Sequence, residues 1–369
     1  MINLHAEISW FAKMFIRTRK IFTRGNRFFF FRGFLYIEKP GLTRAFQQEI
    51  IDAGLNSLAH GNIFLRFPGG FLGRTRTDDT AILATGFGRF GNMVIQLGNL
   101  FLLSHRLGIA NIYFWESPYL PKRPDPVEGI LLERGRALPE PGRSAPAVIF
   151  RTRAFSGATF PDEIPGGLSE SLRKLIADSV LPDNQSAEGL EKKSLVIHLR
   201  SGDIFWTNPH PDYGQPPLSF YWKVLTFQSW DEVLLISEDD ANPCYEGIVG
   251  FCKTLDIPVK ESGRLLHRSI QEIMLSEYIV FSTGTFCPAL CWLSSSPRTV
   301  FFFGTDPPTT FPLQDTRFVL FHDASGDFVS TVMSGNWKNS ASQRAIMLEY
   351  PADSIGGPAI VGSDSSHRE

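Results

Sequence analysis

The sequence has little cysteine, no excess of basic charge and no long apolar run. Its four cysteines form no set of Cys-x-x-Cys pairs and have no histidine beside them at zinc spacing, which argues against a zinc site and favours buried free thiols over a disulfide. A net charge of −2 and a pI near 6.5 argue against a general nucleic-acid binder, which needs a basic face. The longest charge-free run, residues 278–297, contains two prolines and several polar residues, so it is no convincing membrane-spanning helix.

What the chain does have is length and an ordinary globular composition. Its 369 residues, 43% hydrophobic and 20% charged, suit two domains with separate cores. Residues 10–36 mix aromatic side chains with lysine and arginine and contain no acid, which is typical either of peripheral contact with an anionic membrane or of a poorly ordered leader. The segment lacks the continuous apolar core of a signal peptide. The expected location is cytoplasmic or peripheral to a membrane, or the Golgi or ER lumen if the source is eukaryotic.

Strand-like apolar segments alternate with segments of helical periodicity from residue 79 onward. A strand over 81–85 leads into a glycine turn at 86–92, and the apolar spacing behind the turn predicts a helix capped by Asn92. The alternation resumes after residue 193 and predicts an α/β protein with a parallel sheet wrapped on both sides. The later strands are predicted at 194–199, 232–237, 257–260, 278–282 and 299–303, and the helices at 168–177, 218–227, 243–254, 269–276 and 286–294.

These patterns divide the chain into four regions. Residues 1–40 are the basic aromatic leader, and 41–190 form a first α/β domain in which 118–167 contribute loops and short strands. Residues 191–338 form a second α/β domain. Residues 339–369 are polar and rich in glycine and serine, which predicts a mostly disordered tail.

The stretch 194–213 concentrates polar side chains behind a buried strand. Ligands in open α/β sheets bind just past the carboxyl ends of the strands, so Arg200 is well placed to hold an anion. The plainer alternative is a capped strand end in which Arg200 and Asp203 pair with each other. The polar residues of the stretch are His198, Arg200, Ser201, Asp203, His210 and Asp212.

A second hypothesis comes from the glycine turn. The spacing Gly86-x-Gly88-x-x-Gly91 fits the dinucleotide fingerprint, follows a strand and precedes a helix, and Glu116 lies near the expected acidic position. An NAD-type oxidoreductase is therefore a real alternative. Against it, Arg89 and a bulky phenylalanine lie inside the loop, and the rest of the chain offers no obvious apparatus for hydride transfer.

Four short motifs, in order, resemble the fucosyltransferases that share an H-x-R signature, closest to the α-1,2-fucosyltransferase (family 11) and protein O-fucosyltransferase group. They are GRFGN at 88–92, HLRSGD at 198–203, SED at 237–239, and Thr285-Phe286 followed by CPALCWL. The chain departs from the α-1,2 group at Ser201, where the signature has a second arginine, and at Cys287-Pro288, where that group has Ser-Trp. Ser201 removes one phosphate contact.

The resemblance implies a GT-B-like fold, with two Rossmann-like domains facing each other across a cleft. It implies inverting transfer of L-fucose from a GDP-fucose donor to a hydroxyl of a glycan acceptor, without metal, cofactor or nucleic acid. A non-catalytic relative that binds glycan or nucleotide is a third reading, because Ser201 replaces an arginine.

Each candidate residue has a chemical role in that reaction. Arg200 offers a planar fork to the β-phosphate, and Thr285 and Phe286 offer backbone N–H groups at a helix start. Asp239 or Asp240 suits the two donors on the guanine edge, and the base for the acceptor hydroxyl is sought among the acids and histidines after Arg200. The catalytic candidates are Arg200, Asp203 and His210, and the substrate-binding candidates are Arg89, Gly91, Asn92, His198, Ser201, Asp212, Asp239, Asp240, Thr285 and Phe286.

Overall fold

The chain divides into two compact units, Met1–Leu175 and Ile176–Glu369. Each unit contains a mainly parallel sheet, so the predicted α/β class is confirmed. The computed structural model describes residues 27–31, 34–38, 64–66, 80–84, 89–107, 111–114, 119–120, 129–134, 148–152, 160, 166–180, 193–262, 266–294, 298–313 and 316–362.

The first unit begins with a hairpin inside the predicted leader. Strands β1 (Arg27–Phe31) and β2 (Phe34–Glu38) pair in antiparallel register. Their run of phenylalanine, tyrosine, leucine and isoleucine has high β-propensity, which agrees with this pairing. The rest of residues 1–40 lies outside the described residues.

The main sheet of the first unit has five strands in the order β3-β7-β4-β5-β6, all parallel except the edge strand β3. Helix α1 (Phe90–Leu107) joins β4 to β5, and α2 (Gly166–Val180) follows the last strand. The strands are β3 (Phe64–Arg66), β4 (Thr80–Ala84), β5 (Asn111–Phe114), β6 (Leu131–Arg134) and β7 (Val148–Thr152).

The predicted cap of α1 is wrong by three residues, since Arg89 and not Asn92 precedes the first helical residue. The helix starts at Phe90, and Met93 N donates to Arg89 O at 3.0 Å, so Asn92 lies inside the first turn. Phe90 is 1% exposed and its ring meets Tyr119 edge-on, with 5.3 Å between centroids. The helix therefore begins with a buried aromatic residue, three positions earlier than the polar capping signal of Asn92 predicts.

The second unit is built on a seven-stranded sheet in the order β10-β9-β8-β11-β12-β13-β14. All neighbours are parallel except β13 and β14, which are antiparallel. Numbered from β8, the first six strands have the doubly wound order 3-2-1-4-5-6. The strands are β8 (Ser194–Leu199), β9 (Glu232–Ser237), β10 (Val259–Glu261), β11 (Tyr278–Val280), β12 (Arg298–Phe303), β13 (Thr316–Asp323) and β14 (Ile355–Val361).

The helices of the second unit cover this sheet in two groups. In one group α3, α4, α7 and α8 pack together, and in the other α5 packs against α6. Strands β8 and β9 are buried almost throughout, which explains their continuous runs of leucine, isoleucine and valine. The helices are α3 (Leu218–Leu225), α4 (Cys244–Thr254), α5 (Leu266–Leu275), α6 (Phe286–Leu293), α7 (Asp327–Val332) and α8 (Ala341–Glu349).

The prediction of a mostly disordered tail is wrong up to residue 362. Helix α8 opens with a complete capping box, in which Ser340 and Gln343 bond each other's backbone N–H groups. Just before it, Trp337 is 1% exposed, and beyond it β14 completes the sheet. The low hydrophobicity of the tail conceals this order, since its strand β14 pairs with β13, a strand that the sequence pattern does not predict. Residues 363–369 lie outside the described residues.

Candidate functional site

The site of the second unit lies where its sheet changes direction. From β8 the chain moves outward through β9 to β10, and then returns to place β11 on the other side of β8. The loops that follow β8 and β11 therefore separate at one edge of the sheet, which is where doubly wound proteins bind ligands. Most of the candidate residues lie in these loops and in the loop that follows β9.

Arg200 lies at this switch point, directly after β8. Its guanidinium carbon is 4.0 Å from the centre of the Tyr213 ring, and its Nη2 is 3.6 Å from Asp203 Oδ1. The Arg200 guanidinium also lies close to Gly284, since a Cβ at that glycine would be only 2.5 Å from Arg200 Nη1. The guanidinium is thus held between the loops after β8 and β11, and both the anion-binding reading and the Arg200–Asp203 pairing are compatible with its position.

The start of α6 lies beside that guanidinium. Thr285 occupies the N-cap position, directly after Gly284, and both Thr285 and Phe286 are half-buried. The structure therefore brings these two candidates to the same strand edge as Arg200. The first backbone N–H groups of a helix of this length face outward at its N-terminus and suit an anion.

His198, a substrate-binding candidate, lies at the end of β8 and forms a hydrogen bond within the protein. Its Nδ1 lies 2.6 Å from Ser282 Oγ, and its ring centre is 5.3 Å from that of Phe286. Burial, and then the positive charge of Arg200, lower the pKa of His198 to about 3. The imidazole is therefore neutral at physiological pH and supports the loop after β11.

This depressed pKa makes stability depend on pH in a definite direction. The unfolded histidine takes up a proton near pH 6.5 and the folded one only near pH 3, so stability falls as pH drops through that window. At pH 5 the His198 contribution should be about 2 kcal/mol smaller than at pH 7, at ~1.4 kcal/mol per pH unit below 6.5. Urea unfolding at both pH values measures this loss, and His198→Asn should remove it.

The control for that measurement is His210→Asn, since the His210 side chain is 59% exposed. This variant should keep the wild-type difference between pH 7 and pH 5. An unchanged difference in His198→Asn would show that another group carries the pH dependence.

Ser201 and Asp239 bond to each other and join the ends of β8 and β9. Ser201 is 1% exposed, and its hydroxyl donates to Asp239 Oδ1 and accepts from Asn242 N at 3.1 Å. The same carboxylate oxygen accepts from Gly202 N at 3.2 Å and from Ala241 N at 3.0 Å. The Ser201 hydroxyl and Asp239 Oδ1 therefore form their hydrogen bonds with other groups of the protein. Asp240, the neighbouring candidate for guanine, is exposed.

Two buried amides near Arg200 were not singled out from the sequence. Asn242 is 1% exposed; its Nδ2 donates to Arg200 O at 2.9 Å, and its Oδ1 accepts from Cys244 N at 2.9 Å. Gln215 is fully buried; its Nε2 donates to Tyr213 O at 2.9 Å, and its Oε1 accepts from Thr283 N at 3.2 Å. Together they brace the Arg200 loop on both sides. An asparagine just before a predicted helix was a usable capping signal for Asn242. Gln215 lies in the segment 213–217, whose prolines predict a fixed loop that leads into the next helix.

Removing the Asn242 brace should destabilise the second unit. Asn242→Ala leaves the buried carbonyl of Arg200 and the N–H of Cys244 without these partners, which should lower the free energy of unfolding by about 2–4 kcal/mol. Asn336→Ala is the matched control, since the exposed Asn336 also donates through Nδ2 to a carbonyl, that of Ser330, at 2.9 Å. It should cost less than about 1 kcal/mol in urea unfolding. Equal losses in the two variants would contradict the bracing role.

His210 and Asp212 lie on the exposed part of the same loop. Asp212 N donates to His210 Nδ1 at 3.3 Å, and the Asp212 carboxylate lies 3.7 Å from that nitrogen. The His210 ring is 5.2 Å from the Tyr213 ring, whose other contact is Arg200. Tyr213 thus links His210 to the Arg200 site, a contact that its place in the predicted loop-fixing segment 213–217 does not specify.

The remaining candidates belong to the first unit. Its sheet also reverses direction, between β4 and β7, and α1 follows β4 at that point. Arg89 is exposed just before α1, Gly91 is buried and Asn92 is half-buried in the first turn. The other positions of the dinucleotide hypothesis, Gly86, Gly88 and Glu116, lie outside the described residues.

The described part of the chain contains no cluster of three or more His, Cys, Asp or Glu residues suited to a metal ion. None of its helices combines the length and the hydropathy needed to cross a membrane. The four cysteines are free and buried, as their spacing predicted, and burial raises the pKa of each thiol, to about 11 for Cys252.

No family model matches the chain, and no curated protein matches it. Among solved structures, POFUT1 in complex with GDP-fucose shares 10% identity at a TM-score of 0.37, covering 63% of this chain and 99% of the other. The iron-containing dodecameric glycosyltransferase TibC from enterotoxigenic E. coli shares 11% at 0.38, covering 70% and 68%. The glycosyl transferase family 9 protein from Veillonella parvula shares 8% at 0.37, covering 74% and 97%. Because these TM-scores are below 0.5, a function has to be inferred from the residues of this chain.

Proposed function

We propose that the chain is an inverting, metal-independent glycosyltransferase that moves L-fucose from GDP-fucose to a hydroxyl of a glycan. The observation that carries the proposal is the placement of Arg200, whose guanidinium lies at the switch point of a doubly wound sheet and against the start of α6. A departing nucleoside diphosphate needs positive charge and hydrogen-bond donors at its phosphates. This edge of the sheet supplies both.

The leaving group would be held by two kinds of donor. Arg200 donates in a fork to phosphate oxygens, and the N–H groups at the start of α6 add the field of a helix N-terminus. His198 lies behind them and is neutral, because burial and Arg200 depress its pKa to about 3. Asp240 is the exposed carboxylate at the end of β9, and we assign it the guanine contact in place of Asp239, whose Oδ1 serves the loop.

The proton of the acceptor hydroxyl needs a separate route. His210 is a poor base in this geometry, since its Nδ1 accepts from Asp212 N and the neutral ring then carries its proton on Nε2. Asp203 has a side chain that is 37% exposed and lies beside Arg200. We therefore assign proton acceptance to Asp203 and a supporting role to His210 and Asp212.

Calorimetric titration of the full chain with GDP-fucose, GDP-mannose, UDP-glucose and NADH tests this function. We expect GDP-fucose to bind in the micromolar range, the other three to bind at least tenfold more weakly, and GDP to be released when glycan acceptors are added. Binding of NADH without binding of GDP-fucose would instead support the oxidoreductase reading of the glycine turn.

A non-catalytic relative is the second candidate, and one observation favours it. The signature's second arginine is replaced by Ser201, whose hydroxyl bonds to Asp239 and Asn242 inside the protein. Binding of GDP-fucose without GDP release across a broad panel of glycans would support this candidate over the transferase.

A further inference from the structure

Trp206 is the most exposed large apolar side chain in the part of the chain that the structure describes. The residue is 65% exposed, while every other exposed residue of this class is aliphatic and between 38% and 53% exposed. Tryptophan is usually well covered in folded proteins. The next two residues in the chain, Thr207 and Asn208, are also exposed, and both are polar.

The backbone that carries this indole is held firmly from the C-terminal segment. Asn339 Nδ2 donates to the carbonyls of Phe205 at 2.6 Å and of Trp206 at 3.1 Å. Trp337 Nε1 donates to the carbonyl of Ile204 at 2.7 Å, so three successive carbonyls accept bonds from this one segment. These three bonds fix the backbone from which the Trp206 ring projects.

The packing beneath the loop adds to this rigidity. The Phe205 ring meets the Trp337 ring edge-on, with 5.5 Å between centroids, and the Arg344 guanidinium lies 5.3 Å from the centre of the Phe205 ring. Phe205 thus points into the protein while Trp206, the next residue, points to solvent. The exposed ring therefore stands on a fixed base, which keeps the entropy lost on binding low.

The position of Trp206 relates it to the proposed donor site. Its backbone N–H donates to Asp203 O at 3.3 Å, so it lies one tight turn from Asp203. The Asp203 carboxylate is in turn 3.6 Å from Arg200 Nη2. Asp203 therefore connects the turn that carries Trp206 to the proposed donor site.

We propose that Trp206 is the platform on which a pyranose ring of the glycan acceptor stacks. The inference rests on the proposed function and extends it by naming an acceptor contact. The C–H face of a pyranose covers an indole ring, while its hydroxyls need polar partners such as the exposed Thr207 and Asn208, which follow Trp206 in the chain. A protein partner would instead favour a wider apolar surface, because binding hot spots lie within a surrounding ring of contacts that excludes water.

Binding of the full-length chain to printed hexose- and N-acetylhexosamine-terminated oligosaccharides, at saturating GDP, tests this proposal. Wild type should bind a subset of these glycans. Trp206→Ala should weaken that binding at least tenfold, and Trp206→Phe should restore it to within threefold, since a smaller aromatic face remains. Leu255→Ala, at an exposed aliphatic residue after α4, is the control and should bind as wild type does.

Two further readouts separate this proposal from the donor assignment. GDP affinity by calorimetry should be the same in wild type and Trp206→Ala, and the acceptor KM should rise while acceptor-independent hydrolysis of GDP-fucose stays unchanged. Glycan binding that depends on Trp206 without any GDP binding would overturn the proposed function and leave the sugar platform standing. Equal glycan binding in wild type and Trp206→Ala, or no binding by wild type, would overturn the platform.

Discussion

Replacing Arg200 with alanine should lower kcat/KM for fucose transfer by about 10²–10³, because the departing diphosphate loses a preorganised guanidinium. The loss should appear in both GDP affinity and kcat, since the charge on the β-phosphate grows as the glycosidic bond breaks. Arg200→Lys keeps the charge and lacks the fork, so it should recover only part of the activity. Turnover of GDP-fucose measured as GDP release, with acceptor present, is the readout.

The matched control is Arg344→Ala. Arg344 is also half-buried and lies over an aromatic ring, that of Phe205, so its removal tests the loss of a packed guanidinium that supports the loop after β8 from the C-terminal segment. GDP affinity should change less than threefold in this variant. Full transferase activity in Arg200→Ala, or equal losses of GDP affinity in the two variants, would remove Arg200 from the proposed mechanism.

The second large effect is expected at Gly284, which has a backbone φ of +147° and leaves no room for a side chain. A Cβ there would lie 2.5 Å from Arg200 Nη1, so Gly284→Ala should displace the guanidinium. The backbone strain should cost about 1–3 kcal/mol of stability. We also expect GDP affinity to fall at least tenfold, measured by calorimetry under conditions where circular dichroism shows the variant to be folded.

Gly250→Ala controls for the substitution itself. Gly250 lies in α4, where an added Cβ meets nothing within 4 Å, so alanine there should raise stability by about 0.5–1 kcal/mol and leave GDP affinity unchanged. A folded Gly284→Ala protein that binds GDP as wild type does would show that the position of Arg200 against this glycine does not matter for the ligand.

The sequence predicts best those features that depend on a single local pattern, such as the bounds of one strand and the residue that follows it. The apolar run of β8 has the predicted bounds, Ser194–Leu199, and Arg200 follows it at a sheet edge. The alternation of strands and helices was enough to predict a parallel sheet, because parallel strands need crossovers between them. The strand order that makes this edge a switch point was not readable from the sequence.

The sequence patterns do not predict contacts between residues that are far apart in the chain. Gln215 bonds to Thr283 across the site, and Asn339 bonds to Trp206; neither pair is close in sequence. The helix start at Phe90 was decided by burial of an aromatic ring. The place of Ser201 in a motif predicts a substrate contact, whereas its hydroxyl bonds to Asp239 and Asn242, residues of the loop after β9.

A comparison of GDP with guanosine, titrated into wild type and Arg200→Ala, tests the central claim most directly. If Arg200 holds the diphosphate, wild type should bind GDP at least 10²-fold more tightly than guanosine, which corresponds to about 2.7 kcal/mol. In Arg200→Ala that ratio should fall to about tenfold or less, while the affinity for guanosine stays the same. The same GDP-to-guanosine ratio in both proteins would contradict the assignment of this site.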